Sequence, residues 1–429
     1  MKRFFAMLLA LVMVLSLAAC QPKQKEDGPI EIEFFHTHGE AFGGPQMEQI
    51  IKAFNETNGK GITVKTVLNG NYNDQMAAIQ TALAAGTEPA LSTVAYSHLN
   101  YAALNFNYVP ITEVIEKYFP EDKDYLSTKY EDSILGLGTA VNGELLGCPY
   151  GLSIPIVYYN LDLLEAAGCS TTEFPETWQE IRETAKKIVD ATGKTGFYIQ
   201  IVGDTYSIMP MFYQAGIDPI YDKDPDGDGY RTDLDTETSI ALWSFFQEMF
   251  NEGSATFMTN NEGLAGFMAG EVGMYLTTSA RIKAIEESGV RVDTWFHPYW
   301  EGGKRVVCLG GNMLTIWGQT EAKQKAAWEF IKFCLKPENM ALFDNGTGYV
   351  PPTTDVTDDQ YELLKNPLLG DVISEKSDAR PWTSWPGTAG LQVDQHFITM
   401  RDKIYSENAD VATILKQVED TINELISED

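Results

Sequence analysis

The chain has 429 residues, with 61 acidic and 31 basic side chains and a formal net charge of −30 at pH 7. Nucleic-acid binding needs a basic surface, so this balance excludes that class of partner and favours an extracellular protein kept soluble by its charge. The length exceeds what one hydrophobic core usually serves, which predicts two lobes.

The N-terminus has the pattern of a secretory signal peptide. A basic start is followed by an apolar run to Ala19, too short to span a bilayer as a mature helix. Cys20 stands where a small residue would follow the cleavage point, so Leu17–Cys20 resembles a bacterial lipobox, whose cysteine carries lipid such as palmitate. An ordinary signal peptide with a chance cysteine is the alternative. We predict a signal peptide over 1–19 and a lipidated cysteine with flexible tether over 20–29.

Strand and helix patterns alternate from residue 30 onward. Ile30–Phe35 alternates as a half-buried strand does, and the stretch from Pro45 has an apolar stripe at helical spacing. Ile62–Val67 predicts a second strand, and Asp74 predicts the cap of a second helix. A strand over 90–96 completes the pattern of an α/β lobe.

The rest of the chain keeps this alternation. Ile154–Tyr159 predicts an apolar strand, and Thr177–Glu180 is a capping box that opens a helix. Residues 236–250 form a long helical pattern whose aromatic side chains are interpreted as core. Residues 321–335 and 410–426 predict two further helices. We therefore predict an α/β fold.

The sequence contains no recognised catalytic motif. His36, His38 and Glu40 form an HxHxE stretch, but the other histidines do not supply the further ligands that a metal-dependent barrel needs. GxSxG and HExxH are absent. The cysteines after Cys20 lack CxxC spacing and leave both disulfides and buried free thiols open. We predict that the chain is not an enzyme.

An acidic loop over 222–233 follows the order of an EF-hand calcium loop. It has carboxylates at positions 1, 3, 5, 7 and 12 and glycine at position 6, although position 12 is aspartate and Pro219 falls where a helix would precede the loop. The alternative is an acidic hairpin turn with glycines at positive φ. The candidate ligands of a structural calcium ion, the one cofactor considered, are Asp222, Asp224, Asp226, Asp228 and Asp233.

Nine short motifs carry a resemblance through their order along the chain. They are Asn69–Tyr72, Ala84–Ala90, Pro155–Asn160, Phe174–Trp178, Phe267–Met274, Gly310–Gly311, Trp328–Phe333, Lys336–Asn339 and Thr347–Pro351.

Together these motifs resemble the extracellular solute-binding proteins (family 1) of carbohydrate ABC importers, and most of all the glycerol-3-phosphate binders among them. The resemblance implies a two-lobed periplasmic-binding-protein fold of type II, with hinge strands and a ligand cleft between the lobes. We place lobe 1 at 30–146 and 303–336, and lobe 2 at 147–302 and 337–429.

The same resemblance implies a set of ligand contacts. Tyr96 stands where those binders carry a glutamate, and Thr388–Ala389 align with their phosphate-binding arginine. A phosphate would lose that charge-assisted pair, unless Arg380 or Arg401 replaces it. The family's contact positions correspond to Tyr72, Ser153, Ser279, Gly311 and Tyr349.

Tryptophans favour a sugar as the ligand, because indole faces are apolar platforms for the C–H faces of sugar rings. We predict a sugar or oligosaccharide first, and glycerol 3-phosphate or a glycerophosphodiester second. A lipid-anchored carbohydrate-active enzyme and a surface adhesin are alternatives of other classes. The candidate contacts added on this ground, together with Tyr96, are His36, Trp300, Trp382 and Trp385.

The resemblance also implies partners and a location. The expected partners are the small carbohydrate, the transmembrane subunits of an ABC permease, and the membrane through lipid on Cys20, with the protein itself a monomer. Gln21 is not the aspartate that retains lipoproteins at a Gram-negative inner membrane. We therefore expect the protein at the extracellular face of a Gram-positive cell membrane.

Overall fold

The structure is a computed structural model that describes residues 28–201, 205–227, 229–357, 360, 362–370, 372 and 379–427. The predicted signal peptide, Cys20 and most of the tether lie outside these residues, as does Asp228. Within these ranges none of the helices combines the length and the apolar character that a bilayer crossing requires.

The strands form two large sheets and one hairpin. The first sheet has the order β2-β1-β3-β12-β13 with β4 also paired to β12, the second has the order β11-β5-β10-β6-β9, and β7 pairs with β8. The strands are β1 (Ile30–His36), β2 (Ile62–Leu68), β3 (Leu91–Ala95), β4 (Gly147–Ser153), β5 (Pro155–Asn160), β6 (Thr195–Ile201), β7 (Asp222–Lys223), β8 (Tyr230–Arg231), β9 (Ala255–Thr259), β10 (Val272–Thr278), β11 (Val292–Trp295), β12 (Val307–Ile316) and β13 (Ala379–Pro381).

Helices cover both sheets, as the alternating sequence pattern predicts. The helices are α1 (Gly44–Thr57), α2 (Tyr72–Ala85), α3 (Leu99–Asn105), α4 (Ile111–Tyr118), α5 (Tyr125–Lys129), α6 (Asp132–Leu135), α7 (Leu161–Ala166), α8 (Trp178–Thr192), α9 (Met209–Gln214), α10 (Glu237–Asn251), α11 (Asn260–Met268), α12 (Ile282–Glu287), α13 (Glu321–Cys334), α14 (Pro337–Asn345), α15 (Gly390–Ser406) and α16 (Val411–Ile426).

Capping boxes fix where two of these helices begin. The Thr177 side chain accepts from the Glu180 N–H and the Glu180 side chain accepts from the Thr177 N–H, as the sequence predicts for α8. In α2 the N-cap is Asn71, and Asp74 is its partner at the third helical position. The prediction that Asp74 itself caps this helix was therefore wrong by three residues.

The chain passes from the first sheet to the second through one residue. β4 ends at Ser153 and pairs with β12 of the first sheet, whereas β5 begins at Pro155 and pairs with β10 and β11 of the second. Ile154 is the only residue between them and is fully buried. We call the part of the molecule built on each sheet the first and the second lobe.

Three segments lie elsewhere than the predicted division into lobes, and one of them is β13, which was assigned to lobe 2 but pairs with β12 of the first sheet. Residues 147–153, assigned to lobe 2, form β4 in the first sheet. Helix α14, also assigned to lobe 2, shares the hydrophobic core beneath the first sheet through Met340 and Phe343. The C-terminal helices α15 and α16 lie beside α10 of the second lobe.

Aromatic side chains fill the core of the second lobe. Trp243 and Phe246 of α10, interpreted as core from their spacing, are fully buried, while Phe250 packs on Tyr405 with ring centroids 4.3 Å apart. The cysteines of the described chain are free thiols, and all of them except Cys169 are buried.

The acidic loop forms the β7–β8 hairpin. The Asp224 Oδ1 atom accepts a hydrogen bond from the Asp226 N–H at 2.9 Å, and neither Gly227 nor Gly229 has a positive φ. A Cβ on Gly229 would lie 2.2 Å from the Ser427 carbonyl oxygen, which explains the need for glycine there. No group of three potential metal ligands lies among the described residues, and Asp228 is outside them. The calcium site stays a prediction.

Candidate ligand-binding site

A cavity of about 460 Å³ lies between the lobes, within the size range of small-molecule sites. The first lobe contributes Tyr96, Asn100 and the loop 136–141. The second contributes Tyr213 at the end of α9 and the loop 218–221, and the segment from β13 to Ser384 closes the remaining side.

Four aromatic residues line this cavity, and each polar end is bound to the protein. Tyr96 Oη donates to the Gly151 carbonyl at 2.9 Å, and Tyr221 Oη donates to the Ser384 carbonyl at 2.8 Å. Tyr213 shares a hydrogen bond with Thr383, and Trp382 Nε1 donates to Thr205 Oγ1 at 3.1 Å. Burial raises the pKa of Tyr221 to about 12, so its hydroxyl stays protonated. The polar ends of all four side chains are thus hydrogen-bonded within the protein.

The charged side chains on the cavity wall neutralise each other. Arg380 Nε donates to Asp218 Oδ2 at 2.9 Å, and both side chains are partly exposed. Among the described residues that line the cavity, this pair accounts for all the charged groups. The wall therefore has no net charge.

Asn100 links the walls of the cavity to one another. Its backbone N–H donates to Ser384 Oγ at 2.8 Å, its Nδ2 donates to the Ser384 carbonyl at 3.1 Å, and its Oδ1 accepts from the Val141 N–H at 2.9 Å. These bonds join α3, the loop before β4 and the segment after β13. Asn100 thus holds the walls of the cavity together through one side-chain donor, its side-chain acceptor and its backbone N–H.

A cluster of hydroxyl and amide groups lies beside the cavity. Asn312 Nδ2 donates to Tyr72 Oη at 3.1 Å, and the Tyr72 ring meets Trp382 edge-on with centroids 6.4 Å apart. Burial, followed by the neighbouring Tyr72, raises the pKa of Tyr349 well above its usual value. Asn312 is fully buried, yet its Oδ1 has no hydrogen-bond partner among the described residues. Such an acceptor marks a place for a donor from outside the chain.

Ser153 and Ser279 lie on either side of the crossing point between the lobes. Ser279 Oγ accepts from the Ile154 N–H at 3.3 Å, and the Ser279 N–H donates to the Ile154 carbonyl at 2.8 Å. Gly311 has φ 126°, and a Cβ there would lie 2.0 Å from the Gly151 carbonyl oxygen. Its absent side chain lets β12 and β4 approach, which is a structural reason for glycine at this predicted contact.

Tyr96 and Trp382 are the two predicted contacts among the described residues that line the cavity, and the other eight, which include Trp385, Trp300 and His36, lie outside its wall. Trp385 is 1% exposed, donates from Nε1 to Asp394 Oδ1 at 3.1 Å, and stacks on Phe397. Trp300 packs edge-on against Phe245 of α10. His36 is buried in the first lobe, and burial lowers its pKa to about 4. Their roles in ligand binding stay predictions.

Of the two arginines considered as phosphate ligands, one lines the cavity and the other does not. Arg380 lines the cavity, as described above. Arg401 is 2% exposed, and its Nε donates to Asp402 Oδ1 on α15 at 3.0 Å. Arg401 is not part of the cavity wall.

Several residues at this site were not predicted from the sequence. Asn312 directly follows the Gly310–Gly311 motif, so closeness to that motif was the available signal. Asn100, Tyr213 and Tyr221 are in stretches with no distinguishing pattern. The fold alone brings those three side chains to the cavity.

A curated relative matches the chain over nearly its whole length. The sn-glycerol-3-phosphate-binding periplasmic protein UgpB of Pectobacterium atrosepticum is 28% identical over 382 residues, which cover 85% of this chain and 82% of that protein.

Two solved structures are similar in fold. Maltose-bound MalE3 of T. maritima has a TM-score of 0.79 at 18% identity, and the match covers 92% of this chain and 100% of that one. UgpB from Mycobacterium tuberculosis in complex with glycerophosphocholine has a TM-score of 0.74 at 18% identity, with 93% and 98% covered. These likenesses confirm the predicted two-lobed α/β fold. Residues 49–369 match the family of bacterial extracellular solute-binding proteins, and the chain therefore belongs to that family.

Proposed function

We propose that the protein is the substrate-binding component of an ABC importer and captures a sugar or oligosaccharide between its lobes. The observation that carries this proposal is the cavity between the lobes, whose wall has aromatic rings and no net charge. Aromatic faces suit the C–H faces of sugar rings, and the nearby amide and hydroxyl groups suit ring hydroxyls.

Ligand capture would work by closing the lobes. Groups from both lobes surround the cavity, so a ligand that touches both stabilises the closed form relative to the open form. The unpaired Oδ1 of Asn312 would accept a ligand hydroxyl. The chain itself performs no chemistry in this scheme, and the closed form is what a permease would recognise.

Lipid on Cys20 would hold the protein near its permease. Tethering raises the effective concentration of the loaded protein at the membrane, and residues 20–29 have the composition of a flexible linker. The extracellular face of a Gram-positive membrane and a monomeric state belong to the same proposal.

A glycerol phosphate or phosphodiester is the second candidate ligand, favoured by the environment of Arg281. This side chain is 7% exposed, its Nη1 donates to the Ala41 carbonyl at 2.7 Å, and its guanidinium lies over the Phe42 ring. Its Nε has no hydrogen-bond partner among the described residues. A buried guanidinium held by a carbonyl and a ring would gain from an anionic partner. The curated relative, named for glycerol-3-phosphate binding, supports the same candidate.

Thermal unfolding of the chain without its predicted signal peptide tests both candidates. We would compare maltose, maltotriose, glycerol 3-phosphate and glycerophosphocholine, because a ligand at a hundred times its Kd adds about 2.7 kcal/mol to the stability of the folded state. Stabilisation by a sugar alone supports the first candidate, and stabilisation by a phosphate alone overturns it in favour of the second. New products from incubated oligosaccharides would identify an enzyme and contradict both.

A further inference from the structure

Two indole N–H groups connect to one buried carboxylate. Asp394 Oδ1 accepts from Trp385 Nε1 at 3.1 Å and from Thr205 Oγ1 at 3.3 Å, and Thr205 Oγ1 in turn accepts from Trp382 Nε1 at 3.1 Å. Thr205 is fully buried and Asp394 is 2% exposed. We call Trp382, Thr205 and Asp394 the indole relay.

The indole relay joins three segments that are far apart in sequence. Thr205 lies between β6 and α9, Trp382 follows β13, and Asp394 is in the first turns of α15. A buried carboxylate is costly unless hydrogen bonds compensate for its lost hydration. Asp394 offsets this cost by accepting from the buried donors of Trp385 and Thr205, and the bond to Thr205 connects it to Trp382.

The relay ends at the ring that faces the ligand cavity. Trp382 lines the cavity, packs on Tyr206 with centroids 5.2 Å apart, and meets Tyr72 of the first lobe edge-on. An indole has a single donor, and a bond to that donor fixes the rotation of the ring in its plane. Neither Thr205 nor Asp394 lines the cavity.

We propose that Thr205 and Asp394 are positioning residues that hold the Trp382 indole as a rigid platform for the ligand. The proposal rests on the proposed capture of a ligand in this cavity. A platform that is already fixed loses less side-chain freedom when the ligand binds, so the relay strengthens binding without touching the ligand.

Thr205→Val tests the relay, because valine keeps the volume of threonine and removes the hydroxyl. The substitution removes the bonds of Thr205 to Trp382 and to Asp394, and loss of the bond to Trp382 is expected to weaken maltotriose binding about three- to tenfold in titration calorimetry. Trp382→Phe removes the donor, so adding Thr205→Val to Trp382→Phe should cause no further loss. Equal losses in both backgrounds would overturn the proposal.

Two control variants separate positioning from general damage. Thr294 is a buried threonine of β11 whose hydroxyl donates to the Leu368 carbonyl, so this bond involves no indole N–H. Thr294→Val should reproduce any loss of stability in Thr205→Val and leave maltotriose binding unchanged. Thr205→Ser keeps the hydroxyl and should bind like the natural protein. Weakened binding in Thr205→Ser equal to that in Thr205→Val would contradict the relay.

Fluorine NMR of fluorotryptophan-labelled protein gives a readout without ligand. The Trp382 resonance, assigned by its loss in Trp382→Phe, should shift or broaden in Thr205→Val and not in Thr294→Val. An unchanged resonance overturns the proposal even if binding weakens. A changed resonance in a protein that binds no maltotriose supports the relay and counts against the sugar proposal.

Discussion

Arg281 in the second lobe donates a hydrogen bond from Nη1 to the carbonyl oxygen of Ala41 in the first lobe, at 2.7 Å. The same guanidinium lies 4.8 Å from the centroid of the Phe42 ring. Both contacts cross from one lobe to the other, between the turn after β10 and the loop that joins β1 to α1. They hold the lobes in the arrangement that the structure describes.

Arg281→Gln should favour the open form. Hydrogen bonds to charged groups contribute about 1.5–3 kcal/mol, so we expect the closed form to lose at least about tenfold in population. Small-angle X-ray scattering of the unliganded protein should show a larger radius of gyration. Arg291→Gln is the control, because Arg291 pairs with Asp162 and Glu165 inside the second lobe. An unchanged radius with lost binding of glycerophosphocholine would instead identify Arg281 as a phosphate ligand.

Asn312→Leu should weaken ligand binding without lowering stability. The Asn312 Oδ1 is buried without a hydrogen-bond partner among the described residues, which costs free energy in the unliganded protein. Leucine has a similar shape and removes that cost, so we expect a midpoint of thermal unfolding equal to or above the natural one. Titration of the ligand found by thermal shift should show at least about tenfold weaker binding. Unchanged affinity would exclude Asn312 from the ligand site.

Trp385→Ala should destabilise the fold, whereas Trp300→Ala should have a smaller effect. Trp385 is 1% exposed and stacked on Phe397, and truncation of a buried tryptophan costs about 3–5 kcal/mol. Trp300 is only half-buried and packs against Phe245 of α10. Guanidinium unfolding measures both losses, and ligand titration of Trp300→Ala should match the natural protein. Weaker binding in Trp300→Ala would show that Trp300 contributes to ligand binding.

His98 should make the protein lose stability in acid. Burial lowers its pKa to about 4, while histidine in the unfolded chain titrates near 6.5. Between these values the unfolded state binds the extra proton, so the stability present above pH 6.5 is lost as the pH falls towards 4. The loss amounts to about 3 kcal/mol. The free energy of unfolding of His98→Asn, measured with urea from pH 7 to 4.5, should depend less steeply on pH than that of the natural protein. An unchanged slope would contradict this prediction.

Asp344 should have the opposite effect and make the protein less stable as the pH rises. It is fully buried in α14, and burial raises the pKa of its carboxyl well above the usual value. The folded state therefore keeps a proton that the unfolded state loses above about pH 4, and stability falls as the pH rises from there. Asp344→Asn keeps a neutral polar group, so its free energy of unfolding at pH 7 should exceed that of the natural protein. A lower value would mean that the carboxylate has a stabilising role.

Local patterns predicted the elements better than the site. The capping box at Thr177 and Glu180 depends on residues three apart, so the sequence displays it directly. Asn71 was overlooked because Asp74 occupies the same box and also resembles a cap. Both residues belong to one local capping motif, so the predicted cap of the helix was displaced by only three residues.

The cavity depends on contacts that no local pattern contains. Asn100 and Ser384 are joined by two hydrogen bonds across more than half of the chain. Trp382 and Trp385 are three residues apart, yet one lines the cavity and the other lies in the core. They follow a strand of three residues and precede a helix, so neither the period of a strand nor that of a helix could separate them.

Ile154 is the single residue between β4 of the first sheet and β5 of the second, and the shortness of this connection affects how ligand binding is communicated. A connection of one buried residue, held by two hydrogen bonds to Ser279, leaves little slack to absorb a rotation. Any rotation of one lobe about this connection must then displace the outer surface of that lobe by the full angle. A permease touching both outer surfaces would therefore sense two discrete shapes instead of a graded series.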